Sequence, residues 1–200
     1  MRIIGLLVSI ALLTLMGCSK SAKSPEDVVN ALAEAYSEAA DGEKAKSVFD
    51  KAGHVLMTEE QAKASFECTS YRQFVVPKEK GIEAEEEMIS RGGVYEFSNV
   101  KVVDTNILGS KKAGEEFPYN CKALKDAEFA VVSVSFTVSV GEKSQDATEK
   151  FPVTKVDGAW YFGGPRSLAT PTMGTRSVGP GSPDQGLLDA IEEAIPQQLK

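Results

Sequence analysis

The stretch Ala127–Val140, AEFAVVSVSFTVSV, alternates apolar and polar side chains through its second half. Because successive side chains of a β-strand point to opposite faces of the sheet, this period of two predicts a strand with one apolar and one polar face. The apolar face would carry every second residue from Val132 to Val140, with serine or threonine at the positions between them.

Segments on both sides of this stretch also have the pattern of strands. The preceding residues, VYEFSNVKVV at 94–103, alternate imperfectly and indicate a strand that contains a bulge. After a turn at Gly141, ATEKFPVTKV at 147–156 returns as the antiparallel partner. Pro152 cannot donate a backbone hydrogen bond, so it predicts an edge or a bulge there. Asp157–Gly158 then predicts a tight hairpin turn into a last strand, AWYF.

Helices are predicted ahead of the strands. Ser24 is placed to cap the first helix, whose apolar side chains recur at helical spacing, and Gly42 is placed to end it. A short second helix follows. Thr58 and Gln61 have the pattern of a capping box for a third helix, which we expect to continue to Cys68. Helices first and antiparallel strands afterwards predict an α+β fold.

The chain begins with an apolar run, Ile3–Met16, behind a single positive residue, Arg2. As a helix this run would span about 21 Å, which is short of the roughly 30 Å hydrocarbon core of a bilayer. A positive start, a short apolar stretch and small residues at its end are typical of a secretory signal.

The end of this run, Leu15–Cys18, resembles the lipobox of bacterial lipoproteins. The resemblance implies that residues 1–17 are a signal peptide, that lipid is attached to the Cys18 thiol, and that residues 18–23 are a polar tether. Ser19 implies delivery to the outer membrane, with the protein facing the periplasm. The membrane would then be a partner through Cys18, because two or more acyl chains hold a protein firmly to a bilayer. The alternative is an ordinary secretory signal with a cysteine at its end by chance.

The net charge limits the kinds of partner that the chain can bind, and the cysteine content limits the chemistry of its thiols. The formal net charge is −7 and no basic cluster occurs, which argues against nucleic acid as a partner. Cys68 and Cys121 are the cysteines other than Cys18, and in an oxidising envelope such a pair most often forms a disulfide. A reactive or metal-binding thiol is the alternative, but the C-x-x-C spacing of such sites is missing.

The C-terminal region differs in composition from the rest. Residues 163–182 are rich in Gly, Pro, Ser and Thr and predict a linker. Residues 183–195 carry an apolar stripe and predict an amphipathic helix. This helix would either dock on its own domain or bind a partner protein of the envelope.

Three further segments are similar to a known group of proteins: Pro25–Val28, Gly42–Ala45 and Asp157–Trp160. They resemble small bacterial lipoproteins of unknown function that have a nuclear transport factor 2-like (cystatin-like) cone. The resemblance covers residues 24–162 and implies one domain, in which helices pack in the concavity of a curved antiparallel sheet. It brings no catalytic residues, and the sequence predicts no cofactor.

Aromatic residues are the candidates for a binding site inside such a cone. Tyr36, Tyr71, Tyr95 and Trp160 would line a pocket, although Trp160 also fits a hydrophobic core. His54 is the single histidine, so any Ser-His-Asp triad would need it, and multi-histidine metal sites are excluded. The acidic run EAEEEM at 83–88 would point its carboxylates in different directions on a helix, which predicts a solvated face and no metal site.

Two hypotheses of function follow. The first, which we favour because no serine or cysteine lies in a nucleophile motif, is a non-enzymatic, lipid-anchored envelope protein that binds a partner protein or a small ligand. The second is a metal-free cone-fold enzyme, an isomerase or hydrolase acting on an apolar small molecule. A carboxylate beside tyrosines in a deep pocket would favour the enzyme, and a filled cone with an exposed apolar patch would favour the binding protein.

Overall fold

The computed structural model describes residues 21–90, 92–93, 95–140 and 143–165, and these form the predicted α+β fold, with helices packed on a curved antiparallel sheet. The predicted signal segment, Cys18 and the predicted helix 183–195 lie outside the described residues. The elements in chain order are α1 (Pro25–Ser37), α2 (Lys44–Lys51), a 3-10 turn (Gly53–Val55), α3 (Glu59–Ser65), β1 (Phe66–Cys68), α4 (Lys78–Ser90), β2 (Tyr95–Lys111), β3 (Glu116–Phe117), β4 (Cys121–Ala123), β5 (Ala127–Val140), β6 (Lys143–Val156) and β7 (Ala159–Phe162).

The main sheet has the strand order β2-β5-β6-β7, and all neighbouring strands are antiparallel. The alternating stretch that predicts a strand is β5, which lies inside this sheet between β2 and β6. β2 has three register shifts along its pairing with β5, and these explain its imperfect alternation in the sequence. Each bulge bends the strand and increases the local twist, so the bulges contribute to the curvature of the sheet.

The hairpin between β6 and β7 follows the sequence prediction. Its turn consists of Asp157 and Gly158, which have positive φ angles of 52° and 80°. Two such residues give the turn that matches the twist of paired strands. Pro152 lies one residue beyond the last β6–β7 pair, Val153 with Phe162, so it occupies the predicted edge position.

The two faces of β5 enter different hydrophobic cores. One face packs against α1, and this helical core contains Ala130, Val132 and Val134 with Val28 of α1 and Trp160 of β7. The other face packs against the second sheet, which has the order β1-β4-β3. The aromatic core on that side is defined by the buried residues Met57, Ala62, Phe66, Phe74, Phe117, Cys121, Ala123, Ala127, Phe129 and Val156. The polar face predicted for β5 is therefore limited to its second half.

The first helix begins as predicted and ends early. The Ser24 hydroxyl accepts a hydrogen bond from the backbone N–H of Asp27, 3.2 Å away, and thereby caps α1. The helix ends at Ser37, before Gly42 is reached. Gly42 has a φ of 81° in the turn between α1 and α2, a conformation that favours glycine.

The third helix also ends earlier than predicted. The capping box at Thr58 is confirmed, but α3 stops at Ser65 and the chain continues as β1. β1 pairs with β4, and this pairing sets Cys68 opposite Cys121. Because the chain changes from helix to strand at this point, the side chain of Phe66 lies in the aromatic core, where it has no exposed surface. The prediction that the helix continues to Cys68 is wrong for that reason.

The folded body extends beyond residues 24–162 at both ends. Ala22, which was predicted to lie in the polar tether, is 4 % exposed, and its carbonyl accepts a hydrogen bond from the backbone N–H of Trp160 at 3.0 Å. Residues 163–165, which were predicted to begin the linker, are buried. The Thr154 hydroxyl donates to the Gly163 carbonyl at 2.8 Å, and the Gly164 N–H donates to the Gln73 carbonyl at 2.6 Å. Ala22 and residues 163–165 therefore belong to the folded body and not to the predicted tether and linker.

The stability of a truncated chain should therefore depend on whether residues 163–165 are kept. We expect a chain that ends at Phe162 to unfold with a free energy about 2–3 kcal/mol below that of a chain that ends at Pro165, since each hydrogen bond lost contributes about 1 kcal/mol and leaves a buried partner unsatisfied. Urea unfolding followed by circular dichroism measures the difference. Equal midpoints for the two chains would show that residues 163–165 do not belong to the folded body.

Candidate functional site

A cavity of about 530 Å³ lies between the helices and the helical face of the main sheet. Its volume falls within the range of small-molecule sites in proteins, which are mostly apolar. The apolar lining is contributed by Val29, Leu32, Ala33, Ala45, Val48, Phe49, Leu56, Val76, Gly81, Ala84, Met88, Ile89, Gly93, Phe97, Val100, Val134, Phe136, Phe151 and Phe162. We call this cavity the apolar pocket.

One wall of the apolar pocket is α4, a helix without a buried residue. Its pocket-facing residues recur at helical spacing, so they form one face. Gly81 lets α4 approach α2, because a Cβ at this position would lie 3.0 Å from the Phe49 ring. At the other end, Gly92 and Gly93 donate hydrogen bonds to the carbonyls of Ile89 and Met88 and end the helix. The apolar face of α4 therefore faces the cavity and does not pack into a core.

Glu85 joins α4 to α2 at one end of the apolar pocket. Its two carboxylate oxygens accept hydrogen bonds from the backbone N–H groups of Lys44 and Ala45, at 2.8 Å and 2.7 Å. These groups belong to the first turn of α2, whose own N-cap residue, Glu43, makes no side-chain cap. A carboxylate at a helix N-terminus also interacts favourably with the helix dipole. Within the acidic run that predicts a solvated face, Glu85 is thus a half-buried helix cap.

Tyr36 of α1 lies beside this cap. Its ring packs edge-on against Phe97, with the centroids 5.2 Å apart, and the Lys44 ammonium lies 5.1 Å from the ring centroid. Burial, followed by the nearby carboxylates of Glu85, Glu96 and Asp41, raises the pKa of Tyr36 to about 12. The phenol therefore keeps its proton at neutral pH, which leaves it able to donate a hydrogen bond.

The mouth of the apolar pocket is itself apolar. Four of its lining residues, Val76, Ile89, Phe97 and Val100, are large hydrophobic side chains between 37 % and 40 % exposed. Exposed apolar side chains that cluster around a cavity are typical of a binding surface, whereas scattered ones are ordinary.

The structure brings one of the predicted pocket residues, Tyr36, to the cavity. Trp160 is 3 % exposed in the helical core, where its backbone N–H donates to the Ala22 carbonyl, and it does not line the pocket, so it belongs to the hydrophobic core. Tyr71 packs against the aromatic core, where its hydroxyl donates to the Phe66 carbonyl at 3.2 Å. The side chain of Tyr95 lies outside the described set. Trp160 and Tyr71 therefore do not line the apolar pocket, because they pack in or against the two cores.

The residues that the structure describes offer little support for a catalytic histidine, a metal site or a membrane-spanning helix. His54 lies half-buried in the 3-10 turn and does not line the apolar pocket. Among the described residues, no group of three or more His, Cys, Asp or Glu side chains is arranged to hold a metal ion. In the same residues, no helix has the length and apolar character needed to cross a membrane.

Several pocket residues, among them Glu85, Met88 and Val100, were missed as site residues by the sequence analysis. The available signal was the apolar spacing on α4 next to an α2 that lacks its own cap. Comparison of the chain with protein-family models, curated proteins and solved structures found no match, so its function has to be inferred from the apolar pocket itself.

Proposed function

We propose that this chain is a non-enzymatic binding protein that holds an apolar small molecule in the apolar pocket. The observation that carries the proposal is a 530 Å³ cavity whose mouth is apolar and whose walls are apolar except at the end formed by Asp41, Lys44 and Glu85. Transfer of apolar surface from water into such a cavity is favourable by roughly 25 cal/mol per Å². A ligand would also cover the hydrophobic side chains now exposed at the mouth.

The alternative, a metal-free isomerase or hydrolase, draws some support from the carboxylate of Glu85 beside Tyr36. A general base needs a free lone pair within reach of the substrate and a suitable pKa. Both Glu85 oxygens are held against the backbone N–H groups of α2 that they cap, and Tyr36, whose pKa is raised to about 12, is protonated at neutral pH and so cannot accept a proton. The polar end of the pocket is therefore better suited to holding α2 and α4 together than to moving a proton.

We expect Ala84→Trp to weaken binding of an apolar ligand at least tenfold, a loss of about 1.4 kcal/mol. Ala84 lies on the pocket face of α4. An indole at this position would occupy the space that a ligand needs, while α4 has no buried packing to lose. Titration of the full-length chain with the neutral fluorophore phenylnaphthylamine measures the affinity.

Glu83→Trp is the matched control, because Glu83 lies on the same helix, is exposed and does not line the pocket. This variant should bind the fluorophore like the unmodified chain. Thermal melting checks that both variants are folded. Equal affinities of the two variants would refute the proposed site.

We further propose that lipid on Cys18 holds this binding protein at a bilayer surface. Ala22 is buried, so Ser19, Lys20 and Ser21 are what remains of the tether. At about 3.6 Å per residue, the chain from Cys18 to Ala22 reaches at most about 14 Å. The folded body would therefore stay close to the lipid.

Cys18→Ala tests this anchor. We expect the variant to lose the lipid and to change from the membrane fraction to the soluble fraction, or to keep its signal segment and a higher mass. Fractionation of cells followed by mass spectrometry of the intact protein distinguishes these results. A variant that stays with the membrane at the normal processed mass would rule out lipidation of Cys18.

The predicted helix 183–195 is proposed as a contact for a partner protein of the envelope. The truncation that removes it and leaves the folded body complete ends at Pro165. Crosslinking in intact cells, with the full-length chain as reference, would show a product that disappears in this truncation. A melting temperature lowered by the same truncation would support docking on the chain's own domain instead.

A further inference from the structure

A second cleft, of about 420 Å³, adjoins the apolar pocket. The two cavities share Val76 and Phe162 in their linings, so they lie side by side, and a ligand that passes these two side chains would occupy both. The remaining lining of this second cleft is more polar and includes Ser70, Arg72, Gln73, Phe74, Val75, Tyr119, Pro152, Gly163 and Gly164. We call it the polar cleft.

Gln73 provides the decisive atom of the polar cleft. Its Nε2 donates a hydrogen bond to Sγ of Cys121 at 2.9 Å. Its Oε1 is buried and has no hydrogen-bond partner among the described residues. Buried polar atoms are almost always satisfied, because an unsatisfied one loses its interactions with water without compensation. Because Gln73 lines the polar cleft, a donor on a ligand there is the partner that this oxygen would gain when the side chain turns toward the cleft.

The kind of donor that a ligand could place against Gln73 is limited further by the charge at the polar cleft. An ionised carboxylate would be attracted by Arg72, but it has only acceptors, so it cannot satisfy Gln73 Oε1. An ammonium group could donate, but Arg72 lines the same cleft and like charges repel. A neutral hydroxyl or amide group donates a hydrogen bond without this repulsion.

We propose that the ligand is a single-chain amphiphile whose apolar chain lies in the apolar pocket and whose neutral, hydrogen-bond-donating head lies in the polar cleft against Gln73. This inference rests on the proposed function and names the class of its ligand. The chain supplies affinity through its apolar surface, and the head supplies selectivity through the open acceptor.

Three probes with the same acyl chain test the inference: monodecanoylglycerol, methyl decanoate and decanoate. The glycerol head donates hydrogen bonds, the methyl ester donates none, and the carboxylate is charged and accepts only. The experiment measures how well each probe displaces phenylnaphthylamine from the full-length chain, at concentrations below those at which micelles form. We expect monodecanoylglycerol to bind at least tenfold more tightly than either of the other two.

Two variants assign the selectivity to one atom. Gln73→Leu removes the acceptor, so monodecanoylglycerol should lose its advantage while methyl decanoate keeps its affinity. Gln73→Glu retains acceptor oxygens at the same position and should keep the advantage. Melting temperatures check that both variants fold, and if Gln73→Leu does not fold, the ranking of the probes on the unmodified chain still decides.

The outcomes separate this inference from the proposed function. If the three probes bind equally well, or if the advantage of the glycerol head survives in Gln73→Leu, the proposed head site is wrong and the apolar pocket remains a binding site. If no probe displaces the fluorophore, both the ligand class and the proposed function are wrong.

Discussion

Replacement of Phe66 by alanine is expected to lower the free energy of unfolding by about 3–5 kcal/mol, the usual range for removing a fully buried phenylalanine. Phe66 has no exposed surface, stacks on Phe74 with the ring centroids 4.2 Å apart, and meets Phe117 edge-on at 5.6 Å. The ring also lies 6.5 Å from Phe129 of the main sheet. Its removal would leave a cavity between three different parts of the fold.

The surroundings of Phe66 have little freedom to fill that cavity. β1 is held in register with β4, and Phe129 is held in β5, which pairs on both sides. The cost of a core truncation increases with the volume that the structure cannot close. Urea unfolding should therefore show a lower midpoint and an unchanged dependence on denaturant, which would separate lost stability from a changed unfolded state.

Phe97→Ala is the matched control for this prediction. Phe97 is 39 % exposed at the mouth of the apolar pocket, where it contacts Tyr36 and Phe136. Because part of its surface is already in water, we expect a loss of about 1–2 kcal/mol, together with weaker ligand binding. Equal losses of stability for the two variants would contradict the assignment of Phe66 to a core and of Phe97 to a binding surface.

Local rules account for the parts of the fold that the sequence predicts. The period of two in β5, the capping residues Ser24 and Thr58, and the turn at Asp157–Gly158 each depend on residues that are neighbours in the chain. Backbone sterics and short-range hydrogen bonds decide such features, and both can be inferred from a few consecutive residues.

The sequence predictions fail where contacts with a segment far away in the chain decide the structure. The helical pattern that continues past Ser65 is interrupted because β4 pairs with residues 66–68. In the first half of β5, Ala127 and Phe129 lie on the face that the second sheet covers, a contact that the period of two in the second half does not reveal. The residues 163–165 have the composition of a linker, yet backbone groups of Pro152 and Gln73 hold them.

The candidate site is harder to predict than the fold for a related reason. The apolar spacing that places Leu32, Val48 and Phe136 on inward faces is the same for a filled core and for a cavity. The distance between the elements makes the difference, and α4 sets that distance through Gly81 against Phe49 and through Glu85 at the start of α2. These contacts join residues more than thirty positions apart, so no window of the sequence contains them.

Removal of the disulfide between Cys68 and Cys121 is expected to lower the free energy of unfolding by about as much as Phe66→Ala does. The structure contains this disulfide, consistent with the prediction from the cysteine count, and its cysteines are 53 positions apart. For a loop of that length the chain-entropy relation gives about 4 kcal/mol, which is an upper figure. The loop contains α4 and β2, a wall and part of the mouth of the apolar pocket. Reduction should therefore weaken ligand binding as well as stability.

The test compares the unmodified chain with the double variant Cys68→Ala and Cys121→Ala. The double variant should unfold at a lower urea concentration, and a reductant should lower the midpoint of the unmodified chain toward the same value. Addition of reductant to the double variant should change nothing, which controls for other effects of the reagent. Before reduction, the unfolded protein should contain no titratable thiol at Cys68 or Cys121. Two free thiols at these positions, or a reductant that leaves the midpoint unchanged, would show that the bond does not stabilise the protein.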